Sequence, residues 1–159
     1  MFNGLLLNWS VYVDGANFVG RATQVALPKI TPKMQEHFGA GMSAPIDIDT
    51  MKVEKMEFTA SISGIQKDLY RVVGRADVPI ILRAQIRNDT GENENLIAEM
   101  RGYVDIDPGE FEPDGKGQTN IKMSVHYYRL SIAGEDVIEI DALNGVRNIA
   151  GANQLAGIL

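Results

Sequence analysis

The sequence contains no cysteine. That removes disulfide staples, thiolate nucleophiles and cysteine metal clusters from consideration. Histidine is scarce too. His37 and His126 are the two present, and neither has a second histidine at metal-ligand spacing. Basic residues are fewer than acidic ones, giving a formal charge of -6. Such a balance argues against a protein whose main task is to grip a phosphate backbone. Long apolar runs are missing, so no segment reads as a bilayer span. The opening stretch Met1 to Leu7 lacks the basic start of a signal peptide.

Catalytic signatures are equally thin. Gly20, Gly39 and Gly41 are not followed by the lysine and helix of a phosphate loop. Ser124 and His126 stand two apart on a strand, without an elbow turn or an oxyanion loop. Glu99 with Asp105 or Asp107 reads as the wet face of a strand before it reads as an acid pair. Asp47 and Asp49 share one face of an extended chain, but calcium needs more converging oxygens. The expectation is therefore a non-enzymatic protein with no metal or cofactor.

What the sequence does contain is alternation. From Val78 to Asp107 it reads as two long strands. Ile80, Leu82, Ala84 and Ile86 alternate with Arg83, Gln85 and Arg87. Leu96, Ala98, Met100, Val104 and Ile106 alternate with Glu99, Arg101, Tyr103, Asp105 and Asp107. Strand side chains point to opposite faces in turn, so each strand has one oily and one charged side. Between them, Asn88 to Asn93 is a turn rich in residues that accept unusual backbone angles. At 159 residues, a single domain of this size buries roughly 70% of its unfolded surface and needs no staple.

Earlier strands are expected at Trp9 to Asp14 and Phe18 to Leu27, joined at Asp14-Gly15-Ala16-Asn17. A short strand follows over Lys33 to Phe38, then a glycine-rich loop over Gly39 to Pro45. Met51 to Ser63 changes apolar phase near Lys55, and Thr119 to Ala133 changes phase at Tyr127-Tyr128. A one-residue slip turns every side chain to the other face, so bulges, or bent strands shared between two packed sheets, are expected at both places. Ser63 and Gln66 have capping-box spacing, and Ile65, Leu69 and Val72 repeat at helical spacing before Gly74. One flanking α-helix is expected there. The tail Asp141 to Leu159 is too rich in glycine for a stable isolated helix.

Several of these pieces have a familiar order. Asn17-Phe18-Val19-Gly20, Leu27-Pro28-Lys29 and Gly41-Met42-Ser43-Ala44-Pro45-Ile46-Asp47-Ile48-Asp49 come first. Val104-Asp105-Ile106-Asp107-Pro108-Gly109, Tyr127-Tyr128-Arg129-Leu130, Glu139 to Arg147 and Asn153-Gln154-Leu155 follow. In this collinear arrangement the sequence resembles the major tail tube proteins of contractile-tailed phages and R-type pyocins. The resemblance implies a mainly β fold of two packed antiparallel sheets, like a β-sandwich or barrel, with one short flanking helix. It further implies hexameric rings stacked into the inner tube of a contractile tail, assembled in the bacterial cytoplasm and housed in the virion. The implied partners are other copies of the chain, the sheath, a baseplate or tube initiator, a tape measure protein and a tail terminator. DNA would pass through the lumen without sequence-specific binding, and the subunit would not insert stably in a membrane. A genome-free R-type bacteriocin tube is the neighbouring possibility. A monomeric or dimeric β-sandwich ligand-binding module is the alternative of another class.

Three stretches carry the expected inter-subunit and ring-stacking residues of this single tube domain. They are an N-terminal arm over 1–8 (Leu5, Leu6, Leu7), a loop over 39–51 (Gly41, Met42, Pro45, Ile46, Asp47, Asp49) and a tail over 145–159, with Asn144 at its entrance (Gly145, Arg147, Leu155). Glu99, Asp105 and Asp107 are the expected lumen-facing acids, which would repel phosphates over a range of about 8 Å at physiological salt.

Overall fold

The alternating pattern of the central hairpin becomes two strands, β7 (Val78–Arg87) and β8 (Asn93–Asp107), paired in one register along the whole of β7. Their turn is held by Asn88, whose side-chain oxygen accepts from the Thr90 and Glu92 backbone N–H groups at 3.1 and 3.0 Å. The computed structural model describes residues 5–17, 22–65, 67–111, 113, 115, 117–150 and 152–153.

Around this hairpin the described residues form ten antiparallel strands in one sheet and two in another. The large sheet comprises β1 (Leu5–Val13), β2 (Ala16–Asn17), β3 (Ala22–Ala26), β6 (Met56–Ser63), β7, β8, β9 (Gln118–Ile132), β10 (Glu135–Asp141), β11 (Val146–Ile149) and β12 (Ala152–Asn153). The small one is a ribbon of β4 (Pro32–His37) and β5 (Ile46–Val53). β1 and β2 meet at a two-residue turn in which Asp14 (φ 48°) and Gly15 (φ 83°) are both left-handed, as the turn that matches strand twist requires. Pro32 opens β4, a position where its missing N–H breaks no ladder.

Both phase changes read from the sequence have a structural cause. The stretch Met51 to Ser63 divides at Glu54-Lys55, where the chain leaves the ribbon and enters the large sheet as β6. In β9 the slip falls at His126, one residue before the expected pair. Arg101 of β8 faces Tyr127 and Gly102 faces Val125, which leaves His126 as the extra residue of a bulge. The bulge lets β9 serve two partners on one edge, β6 along Gln118–Val125 and β10 along Tyr127–Ile132. The large sheet therefore branches and curls, and its inner face is the core. Phe58, Ile62, Ile80, Met100, Ile121 and Met123 are fully enclosed there, each side chain contributing about 1.5–3 kcal/mol by burial.

The helix differs from expectation. Ser63 ends β6 instead of capping a helix, Ile65 stays exposed, and the helical segment is a 3₁₀ turn over Lys67–Val72. Its apolar spacing is three residues, Leu69 to Val72, which suits 3₁₀ geometry, and both are buried. The run between Gly64 and Gly74, each with positive φ, is too short to repay α-helix nucleation. The glycine-rich tail forms the short strands β11 and β12 as far as Asn153.

Candidate functional site: open edges and the ribbon

A sheet edge offers unpaired N–H and C=O groups along its length. β1 pairs with β7 on one side, but on its other side, among the described residues, only Tyr12 and Val13 meet β2. Among the described residues, the outer edges of β3 and β12 carry no strand either. The curl brings β1 and β3 towards each other without joining them. Leu6, Trp9, Val25, Leu27, Leu82 and Leu96 line the apolar cleft of about 360 Å³ left between.

The ribbon is the most exposed element. A lone two-stranded hairpin is marginal in water, yet this one presents Met34 (47% exposed), Phe38 (63%), Ile46 (52%) and Ile48 (48%). Register sorts them. Gln35 faces Ile48 and His37 faces Ile46 on one side, whereas Met34, Glu36, Asp47 and Asp49 belong to the other. The tip closes through a Gly39 carbonyl accepting from the Met42 N–H at 3.2 Å, with Gly41 at φ 85°. Gly41 occupies the third position of that turn, where a type II turn needs glycine.

At its base the ribbon is fastened to the body. The guanidinium of Arg147, on β11 and 6% exposed, donates two bonds to the Asp49 carboxylate, at 3.2 and 3.4 Å. Asp49 also accepts from the Met51 N–H at 2.9 Å, across a bulge in which Met51 is held at φ 62°. The Arg147 hydrogen bond, then the Met51 N–H, hold the Asp49 carboxyl below its ordinary pKa.

The outer face of the large sheet is polar and cross-linked. Glu99 accepts from Arg129 at 2.8 Å and lies 3.6 Å from Arg101, which reaches Asp77 at 3.6 Å. His126 Nε2 lies 3.4 Å from Asp77, and the Tyr127 hydroxyl donates to Glu139 at 3.0 Å. Exposed pairs of this kind contribute about 0.2–1 kcal/mol each. They fix side-chain positions more than they stabilise the fold.

The expected site residues fall as follows. Leu5, Leu6 and Leu7 belong to β1 and so to the chain's own sheet, with Leu6 and Leu7 exposed. Gly41, Met42 and Pro45 form the ribbon tip, and Ile46, Asp47 and Asp49 lie on β5. Asn144 and Gly145 lie in the turn before β11, where Asn144 Nδ2 donates to Asp141 at 2.7 Å. Leu155 lies outside the described residues. Glu99, Asp105 and Asp107 share the outer face of β8, and among the described residues Glu99 alone of the three is held in ion pairs. Sequence reasoning missed Arg101, Arg129 and Glu139. Strand alternation placed Arg101 on the polar face, but pairing partners on other strands carry no local signal.

Open edges and an apolar ribbon define a structural β-protein that presents backbone and side chains for association. Comparison with known proteins specifies which. The profile of the family described as "Phage tail tube protein FII" matches residues 4–158. The chain is 32% identical over 154 residues to the "Tail tube protein" of Escherichia phage P2, covering 92% of this chain and 89% of that one. It is 29% identical over 148 residues to the "Major tail tube protein" of Serratia phage KSP20, covering 91% and 86%. Among solved structures, the PVC sheath/tube terminator of an extracellular contractile injection system, in its extended state, superposes with a TM-score of 0.57 at 10% identity. That match covers 77% of this chain and 92% of the other, and it shows a shared fold.

The chain belongs to the phage tail tube protein FII family. It is a structural protein of the contractile phage tail, a component of the tail tube in the virion.

Proposed function

We propose that copies of this chain close edge to edge into six-membered rings, and that the rings stack into the inner tube of the tail as a conduit for DNA. The observation that carries this reading is the ribbon, whose apolar residues face water on both sides in the lone subunit. Open edges at β1, β3 and β12 add to it, because head-to-tail pairing that closes gives a ring, and a ring of sheets encloses a wide bore. The sheath would surround the tube, an initiator at the baseplate would nucleate it, a tape measure protein would occupy it during growth, and a terminator would cap it. None of these contacts requires an enzymatic step.

In this reading the outer face of β8 borders the bore. Glu99 is compensated by Arg129 and Arg101, so Asp105 and Asp107 supply the charge that keeps phosphates from adhering. The arm over 1–8, the ribbon tip within 39–51 and the tail over 145–159 make the contacts between rings. Deleting Gly39 to Pro45 and joining the strands by a two-residue turn is expected to leave a folded subunit that forms no tubes. Negative-stain micrographs with tubes of normal length would refute the assignment.

A further inference from the structure

Most arginines of this chain meet a carboxylate. Arg71, Arg75, Arg101, Arg129 and Arg147 each lie within 4.0 Å of one, Asp68, Asp14, Glu99 and Asp49 among them. Arg83 and Arg87 do not, among the described residues. They lie on the outer face of β7, where Arg83 stands 5.5 Å over the Tyr12 ring and Arg87 donates to Asn93 at 3.3 Å. Arg83 faces the exposed Ile97 across the hairpin, and both line a shallow cleft of about 370 Å³.

Acids without an ion-pair partner among the described residues include Asp89, Glu92 and Glu94 next to Arg87 and, far from it in sequence, two on the ribbon. Glu36 and Asp47 stand directly opposite each other near the ribbon tip, both exposed, with no cation in ion-pair reach among the described residues. Like charges placed opposite in a sheet are destabilising. A cation brought between them removes that cost. The lysines of the ribbon, Lys33 and Lys52, face each other at its base on the opposite side and leave the tip acidic.

Two surfaces of one chain are thus complementary in kind. One is an acidic tip that carries exposed Met34 on the same face and is followed by exposed Phe38; the other is a pair of arginines, with Ile97 beside Arg83. They also belong to opposite flanks of the sheet. The ribbon base is fastened to β11, and β10, β9 and β8 intervene before β7, a separation of roughly 19 Å at four strand spacings. We infer that the ribbon tip of one copy docks on the outer face of β7 in a second copy, over the cleft lined by Arg83 and towards Arg87 four residues along the strand, Glu36 and Asp47 meeting the guanidinium groups. This contact rests on the tube reading above. It is head to tail, because tip and cleft are different surfaces, so a docked pair still has one of each to offer and the series continues.

The test is a charge exchange. The first variant carries Glu36→Arg and Asp47→Arg, the second Arg83→Glu and Arg87→Glu, and the third all four. Far-UV circular dichroism and melting establish that each is folded. Assembly is read as the critical concentration for sedimentable tubes, with electron micrographs. The first and second variants are expected to raise that concentration at least about tenfold, since facing like charges repel at an interface. The third is expected to bring it back towards the wild-type value. Folded first and second variants that assemble as the wild type does overturn the contact, as they would if the tip served the sheath or another protein. A third variant no better than its parents overturns it equally. Wild-type protein that never forms tubes overturns the tube reading and this contact together; wild-type tubes beside unimpaired variants overturn the contact alone.

Discussion

At the scale of the residue, Asp49 joins more of the molecule than any other side chain of the ribbon. Its carboxylate accepts from Arg147 on β11 and from the Met51 N–H, and so sets the angle at which the ribbon leaves the body. The pair makes ribbon orientation sensitive to acid. Arg147 and the Met51 N–H favour the charged carboxylate, which lowers its pKa in the folded protein. The unfolded chain then takes up the proton first. The stabilisation is complete above the ordinary aspartate range, near about 3.9, and is lost as pH falls through the lower folded value. Asp49→Asn is expected to behave at neutral pH as the wild type does in acid. Amides at the ribbon base should exchange faster in hydrogen-exchange measurements, and the acid-induced increment should vanish. Both members of this pair were legible as residues of interest in the sequence, as parts of a loop and a tail. Their mutual contact was not. They lie 98 positions apart, and nothing local in either stretch specifies a partner.

At the scale of the element, the bulge at His126 shapes the sheet, and Gly102 makes it possible. A Cβ on Gly102 would lie 1.8 Å from the Ser124 carbonyl oxygen. That atom is backbone, pinned by the β6–β9 ladder, so it cannot step aside as a flexible side chain would. Gly102→Ala is expected to cost roughly 1–3 kcal/mol, the range for overpacking a close-fitted interior, seen as a lower urea midpoint. Periodicity revealed this element well. The apolar phase of Thr119 to Ala133 breaks beside the true bulge, and the phase of Met51 to Ser63 breaks where the chain changes sheets. Both strands of the central hairpin were likewise evident, because alternation is a direct print of burial on one face. The 3₁₀ turn was less so. Serine and glutamine at capping distance favour a helix start only if a helix follows, and strand pairing of Ser63 with Gln118 prevailed. Tail strands β11 and β12 were missed because two to four residues are too few to show a period.

At the scale of the whole molecule, the sheet curls around one core and, among the described residues, stops before closing. The interior is finished within the subunit, whereas the perimeter is not. Stability of the core should therefore be independent of assembly, and protection of the perimeter should depend on it. Hydrogen exchange followed by mass spectrometry is expected to show equal protection for core strands β6 and β8 in free subunits and in tubes. Peptides covering β1 and the ribbon should gain protection in tubes only. Equal exchange of β1 and the ribbon in both states would contradict this. The family resemblance made the overall architecture readable, since the ordered fragments span most of the chain; open edges themselves leave no mark in a sequence. One further consequence follows from the branching of β9. This strand runs fifteen residues with hydrogen-bonded neighbours on both flanks along nearly its whole length. A pull along its axis would load those bonds simultaneously, in shear, instead of peeling them one after another. The backbone of the subunit is thus built like a splice bar, strongest along the axis of this one strand.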